Sequence, residues 1–184
     1  MIRNLFFLLF LFFLGSCQAP ELNVFSLNTY QDDAPLGIKT YRIMIVSEVE
    51  RFDNLPHIEH RIPVSPEEAL RKWAENRFYA SQSDNIDEMR IVVEKAYLTE
   101  AEDKSDKWYT FDNVLYKLTY DLRIDFIKNG KNLYTQSVGG FESTSLPARS
   151  SLSDKEGAFE KMMNQMIKKV NNQILLQMPK EFIL

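Results

Sequence analysis

Residues 116–126, YKLTYDLRIDF, alternate without a break. Tyr116, Leu118, Tyr120, Leu122, Ile124 and Phe126 are apolar, and Lys117, Thr119, Asp121, Arg123 and Asp125 between them are polar. A two-residue period predicts a strand with one buried face and one wet face. The stretch KNGK at 128–131 then places Asn129 and Gly130 where a hairpin turn needs positive φ. The returning strand is predicted from 132 to about 144.

Other patterns extend this frame. IKTYRIMIVSEVE, 38–50, is rich in Ile and Val and predicts a strand. In 65–80, SPEEALRKWAENRFYA, Ser65 as N-cap, Pro66 and Glu68 open a helix. Leu70, Trp73, Ala74 and Phe78 fall on one stripe of it. A second strand is predicted at 87–100. Met89, Ile91 and Val93 keep one phase there and Ala96 and Leu98 the other, which places a bulge near Lys95. Ser153 and Glu156 read as a second capping box. The helix they open is predicted to run to about residue 177, with Phe159, Met163, Met166, Val170 and Ile174 on its apolar stripe. The order β-α-β-β-β-α predicts an α+β two-layer sandwich. Its sheet is four-stranded and mostly antiparallel, with two helices on one face, and the β-α-β step crosses over right-handed.

One segment does not fit this alternation. Leu5 to Leu14, LFFLLFLFFL, is an unbroken apolar run preceded by Arg3. As a helix it reaches roughly 15 Å at about 1.5 Å per residue, about half of a hydrocarbon core of about 30 Å. That length suits the h-region of a secretory signal. Leu14-Gly15-Ser16-Cys17 follows and resembles the lipobox of bacterial lipoprotein precursors, a resemblance confined to residues 1–17. It implies cleavage before Cys17, a diacylglyceryl thioether on its sulfur and an N-acyl chain. Two or three such chains hold a protein on a membrane, whereas one alone holds it marginally. Gln18, where an Asp is absent, implies the outer membrane rather than the inner in Gram-negative members of that family. The expected division is therefore a signal peptide at 1–16, a lipidated N-terminus and tether at 17–35, and a single domain at 36–184. Fully extended, the tether after Cys17 reaches about 60 Å, at roughly 3.3 Å per residue. Leu22, Val24, Phe25 and Leu27 within it can dock on the domain or a partner.

Composition narrows the function. The 184 residues are 45% hydrophobic and 26% charged, as in ordinary globular domains. Without the leader and its one charge, 21 basic residues face 26 acidic ones, a net of −5 against −4 for the whole chain. An acidic surface is a poor partner for phosphate backbones, so no nucleic-acid partner is expected. Cys17 is the one cysteine, which excludes an internal disulfide and a Cys-based zinc site.

Both histidines lie in PHIEHR, 56–61. His57 and His60 are three apart rather than four, and Pro56 and Pro63 argue for an extended loop in which they face opposite ways, so no metal is expected. The stretch EHRIPVSPEEALRKWAENR is similar to one in small alphaproteobacterial-type lipoproteins of unassigned role. The mature chain likewise resembles small Gram-negative envelope lipoproteins in size and element order. In SVGGFESTS, 137–145, the Lys of a phosphate loop and the G-x-S-x-G of a hydrolase elbow are both missing, and the glycines are expected to bend or bulge the strand.

Trp108, Tyr109 and Phe111, at a hairpin tip behind an acidic loop, are candidate partner contacts, and the Met-rich last helix (Met162, Met163, Met166, Met178) is a second candidate patch. No nucleophile is paired with a base, so no catalytic residue and no cofactor are expected. These observations point to a noncatalytic lipoprotein anchored through Cys17 on the periplasmic face of the outer membrane, serving an envelope protein or lipid-handling machine. A periplasmic binding module for a lipid or other amphiphile, held between sheet and helices, is the alternative.

Overall fold

The alternating segment lies inside the sheet in a computed structural model of the protein, which describes residues 34–83, 85–103 and 112–184. Among these residues the strands are β1 (Leu36–Ile38), β2 (Arg42–Ser47), β3 (Phe78–Ala80), β4 (Glu88–Asp103), β5 (Asn113–Lys128) and β6 (Lys131–Pro147). Helix α1 (Pro66–Arg77) precedes β3 and helix α2 (Leu152–Gln177) follows β6, with short 3-10 turns at Glu59–Arg61 and Lys180–Phe182. The main sheet has the order β2-β4-β5-β6. β2 runs parallel to β4, a pairing that requires the crossover through α1, and the other two pairs are antiparallel. The predicted α+β architecture is therefore the observed one.

Two elements depart from the sequence pattern. The predicted strand at 38–50 is cut to β2, and Leu36–Ile38 instead pairs in parallel with Phe78–Ala80 as a small separate sheet. The predicted helix at 65–80 accordingly stops at Arg77. Phe78 adopts φ −119° and ψ 138°, and its ring meets that of Trp73 edge-on at 5.6 Å. Phe78 thus keeps its place in the core as a strand residue, its N–H still donating to the Ala74 carbonyl while it pairs with Leu36 of β1.

The core fills one face of the main sheet. Tyr116, Leu118, Tyr120, Leu122, Ile124 and Phe126 of β5 are all buried, as the alternation requires. Leu70, Trp73 and Ala74 of α1 and the predicted stripe of α2 close over them in one cluster. Met162, Met163, Met166 and Met178 belong to the same cluster. Those methionines fill the core, which removes the Met-rich helix as a surface patch.

Polar links also hold α2 to β6. Gln136 Nε2 donates to the Gln173 and Ile174 carbonyls, Tyr134 Oη donates to the Gln177 carbonyl, and Lys169 pairs with Glu142 at 2.6 Å. Arg77 Nε donates to Asn171 Oδ1 at 2.8 Å and ties α1 to α2.

The predicted bulge is present, because the β4–β5 register slips between Val93 and Lys95. The glycines of β6 act differently from the expectation. Register there is continuous, with Gly139 opposite Asp121 and Gly140 opposite Tyr120. A Cβ on Gly140 would stand 2.9 Å from Tyr120 Oη, so this glycine makes room for a buried ring rather than bending the strand. Burial pushes the Tyr120 phenol up to about 12. The slip that β6 does contain falls opposite Phe126 and Ile127 and sets Leu133 outside the pairing. At the hairpin turn Asn129 and Gly130 take φ 52° and 71°.

The second capping box is displaced by two residues from its predicted place. Ser151, not Ser153, caps α2, accepting from the Asp154 N–H at 3.2 Å while Asp154 Oδ2 accepts from the Ser151 N–H at 3.1 Å. The sequence holds the same Ser-x-x-acid pattern in two overlapping registers, and the shorter acid two residues earlier closes the box. The Ser151 hydroxyl and N–H hold the Asp154 carboxyl below its ordinary value. Ser151→Ala should therefore cost about 1 kcal/mol in thermal unfolding, and Ser153→Ala no more than about 0.5 kcal/mol.

Candidate functional site

The bulge on β4 also shapes the site. Up to Val93 the outer edge of β4 is covered by β2, ending with the Glu48 N–H donating to the Val93 carbonyl at 2.9 Å. The chain then swings away and returns at Pro56–Ile58. There the Ile58 N–H donates to the Leu98 carbonyl at 2.9 Å, and the Glu100 N–H donates to the Pro56 carbonyl at 2.8 Å. The Leu98 N–H is met by a side chain, Glu59 Oε1, at 2.7 Å. The edge-facing backbone groups recur every second residue, so Ala96 faces the same edge. It lies between the two covered stretches, and among the described residues no backbone hydrogen bond outside the strand ladder reaches it.

A cleft of about 220 Å³ occupies that gap, beyond the end of β2 and beside the start of α1. Ala96, Tyr97 and Phe52 line its wall. The Phe52 ring stacks on the His57 imidazole with centroids 4.2 Å apart, and Tyr97 meets both edge-on at 5.6 and 5.3 Å. Glu50, Asp53, Glu59 and Glu67 bring four carboxylates to the lining, against the guanidinium of Arg51 and the imidazole of His60. Ser65, the N-cap of α1, also borders it, with its hydroxyl accepting from the Glu68 N–H. Glu59 Oε1 serves two groups, the Leu98 N–H and His57 Nδ1 at 3.2 Å, whereas Glu59 Oε2 is buried with no donor among the described residues.

The histidine stretch is thus a site of a different kind from a metal centre. His57 is stacked and held by Glu59, while His60 Nε2 accepts from Arg61 Nε at 3.2 Å. Residues 59–61 form a 3-10 turn rather than the extended loop expected. Among the described residues, no three of His, Cys, Asp and Glu are grouped to hold a metal. Glu59, which lies between the two histidines, borders the cleft together with His60. Nothing in the sequence pattern singles it out, because Glu59, Phe52 and Tyr97 come together only through the return of the loop onto β4.

The other candidates named from sequence, Cys17 and the aromatic tip of Trp108, Tyr109 and Phe111, lie outside the described residues. Among the described residues, no helix is long and apolar enough to cross a membrane.

No protein-family model and no curated protein sequence matches the chain. Solved structures similar to it include a neuraminyllactose-binding hemagglutinin homolog from Helicobacter pylori. It is 13% identical, with a TM-score of 0.43, covering 82% of this chain and 92% of that one. A minor lipoprotein from Acinetobacter baumannii is 14% identical, with a TM-score of 0.42, covering 76% of this chain and 92% of that one. Lipoprotein B from Nitrosomonas europaea is 10% identical, with a TM-score of 0.39, covering 79% of this chain and 92% of that one.

Proposed function

We propose that this protein is a noncatalytic, lipid-anchored accessory lipoprotein of the cell envelope. It is held through Cys17 on the periplasmic face of the outer membrane. It works by contact with an envelope protein or lipid-handling machine, in outer-membrane assembly or lipid transport. The observation that carries this reading is the order of features from Met1 to Cys17: Arg3, the apolar run Leu5 to Leu14, the small pair Gly15-Ser16, then the cysteine. Acyl chains on that sulfur and on the new N-terminus supply the attachment, each buried CH₂ contributing about 0.8 kcal/mol. The tether sets the reach, and Trp108, Tyr109 and Phe111 are the proposed partner contacts.

Binding of an amphiphile between sheet and helices has less support. That layer is filled by Trp73, Tyr116, Tyr120, Phe126 and Met162, Met163 and Met166 of α2, each 2% exposed or less.

Cys17→Ser, expressed in a Gram-negative host with labelled palmitate, should lose all label, accumulate as the unprocessed precursor and leave the outer-membrane fraction. Labelling that persists in the variant would overturn the anchor. Crosslinking and pull-down of the native lipidated protein then identify the partner. Loss of those crosslinks on replacing Trp108, Tyr109 and Phe111 by serine is the result expected for the proposed contact.

A further inference from the structure

We propose that the outward face of α2 docks on an anionic phospholipid surface, that of the membrane which holds Cys17. The anchored domain then lies on its helical side, with the outer face of the sheet turned away from the lipid. The inference rests on the anchor proposed above and adds an orientation to it.

The chain from Cys17 enters the described domain beside this helix. Residues 18–33 join Cys17 to Ala34, whose carbonyl accepts from Arg77 Nη1. Arg77 Nε in turn donates to Asn171 Oδ1 in α2. One guanidinium therefore separates the point of entry from the helix, and α2 comes to the membrane whenever the tether is drawn short.

Lys161, Gln165, Lys168, Asn172 and Leu176 recur at helical spacing and share an arc of about 80° on α2. All five are exposed, on the side opposite Met163, Met166, Val170 and Ile174 in the core. Leu176 is 85% exposed, the highest value for a large apolar side chain among the described residues. A single exposed leucine is ordinary in itself. Here it shares a face with lysines, the combination with which an interfacial helix sets ammonium groups among headgroups and an apolar side chain into the acyl boundary.

Charge selects the surface. The whole chain has a net charge of −4, yet residues 161–180 hold four lysines and no acid. The acids of α2, Asp154, Glu156 and Glu160, all precede Lys161. Lys169 is committed to Glu142. Lys161, Lys168 and Lys180 are exposed and form no ion pair among the described residues. Each lysine close to an anionic bilayer strengthens attachment about fivefold. So few contacts are weak for a free protein. A covalent tether, however, gives an effective concentration on the order of 1 mM, at which a dissociation constant of about 1 mM already keeps half the molecules docked.

The test uses the full lipidated chain. Cys17 is the one cysteine and its sulfur is acylated in the anchored form, so an introduced thiol takes a fluorophore selectively. Gln165→Cys places the label on the α2 face, and Ser137→Cys places it on the outer face of the sheet as the control. Each labelled protein is reconstituted into phosphatidylcholine vesicles with and without phosphatidylglycerol, all carrying a lipid with a nitroxide on its headgroup as quencher. Flotation with the vesicles reads the anchor, and quenching reads the docking. The label at 165 should be quenched in the phosphatidylglycerol vesicles and released at about 1 M salt, where the Debye length falls to about 3 Å, while the label at 137 stays bright throughout. Replacing Lys161 and Lys168 together by glutamine should lower the docking constant about 25-fold, and Leu176→Ser about fivefold, without loss of flotation. A protein that floats with neither vesicle overturns the anchor and this inference with it. A protein that floats but is quenched equally at 165 and 137, or equally with and without phosphatidylglycerol, overturns the docking alone. Undiminished quenching in the double lysine variant overturns it as well.

Discussion

Replacing Arg42 and Arg90 together by methionine should destabilise the fold by about 3–5 kcal/mol, whereas Glu88→Gln should cost only about 1–2 kcal/mol. The three residues meet on the outer face of the sheet. Arg42 Nε donates to Glu88 Oε2 at 2.8 Å, and Arg90 Nε donates to Oε1 at 2.8 Å, so each carboxylate oxygen has its own guanidinium. Exposure makes the cluster asymmetric. The Glu88 side chain is 4% exposed, while those of Arg42 and Arg90 are 62% and 42% exposed. Without Glu88 the arginines turn into water and keep their hydration. Without the arginines a carboxylate stays buried at the β2–β4 pair with no compensating charge, the case in which breaking a buried pair is most costly. Urea unfolding at unchanged m reads both values. Combining Arg42→Met, Glu88→Leu and Arg90→Met should recover most of the loss, because an apolar cluster of similar volume needs no partner. Equal losses from the two sides would show that exposure does not control this cluster.

The fold was legible wherever one period dominated. The β5 alternation, the Asn129-Gly130 turn and the stripe Phe159, Met163, Met166, Val170 and Ile174 each state a local periodicity that the tertiary structure only has to accept. The change of phase after Val93 was legible for the same reason, since a bulge shifts a two-residue period by one. What escaped the sequence depends on contacts between distant segments. Phe78 sits in helical phase with Ala74, four residues before it, yet it leaves the helix to pair with the strand at Leu36–Ile38. Gly140 reads as a breaker until Tyr120 is placed opposite it. Ser151 and Ser153 offer the same local chemistry, and which of them caps α2 depends on where the chain leaves β6.

The candidate site shows the same division. His57 and His60 are conspicuous in sequence because they are the only histidines, but the loop turns them to separate partners. The cleft is assembled from Glu50 to Asp53, Glu59, the start of α1 and residues 96 and 97, which share no spacing. A bulge was predicted, but not the uncovered stretch of strand edge beside it, because that depends on where β2 ends and where the loop returns.

Trp73→Ala should be the most damaging single substitution in the core, costing about 3–5 kcal/mol. Trp73 is 1% exposed, leans edge-on against Phe78 and belongs to the cluster that joins both helices to the sheet. Truncation removes a large apolar area and leaves a cavity that α1 cannot close while Ser65 pins its start and Arg77 ties its end to Asn171. For a domain of this size, each kcal/mol moves Tm by about 2–4 °C, so the midpoint should fall by roughly 10 °C. Trp73→Phe should cost far less than its lost area suggests. The indole Nε1 is buried without an acceptor among the described residues, so its removal relieves an unmet donor. Differential scanning calorimetry of the two variants separates these contributions. A loss from Trp73→Phe as large as that from Trp73→Ala would mean that the indole N–H has a partner and contributes to the fold through it.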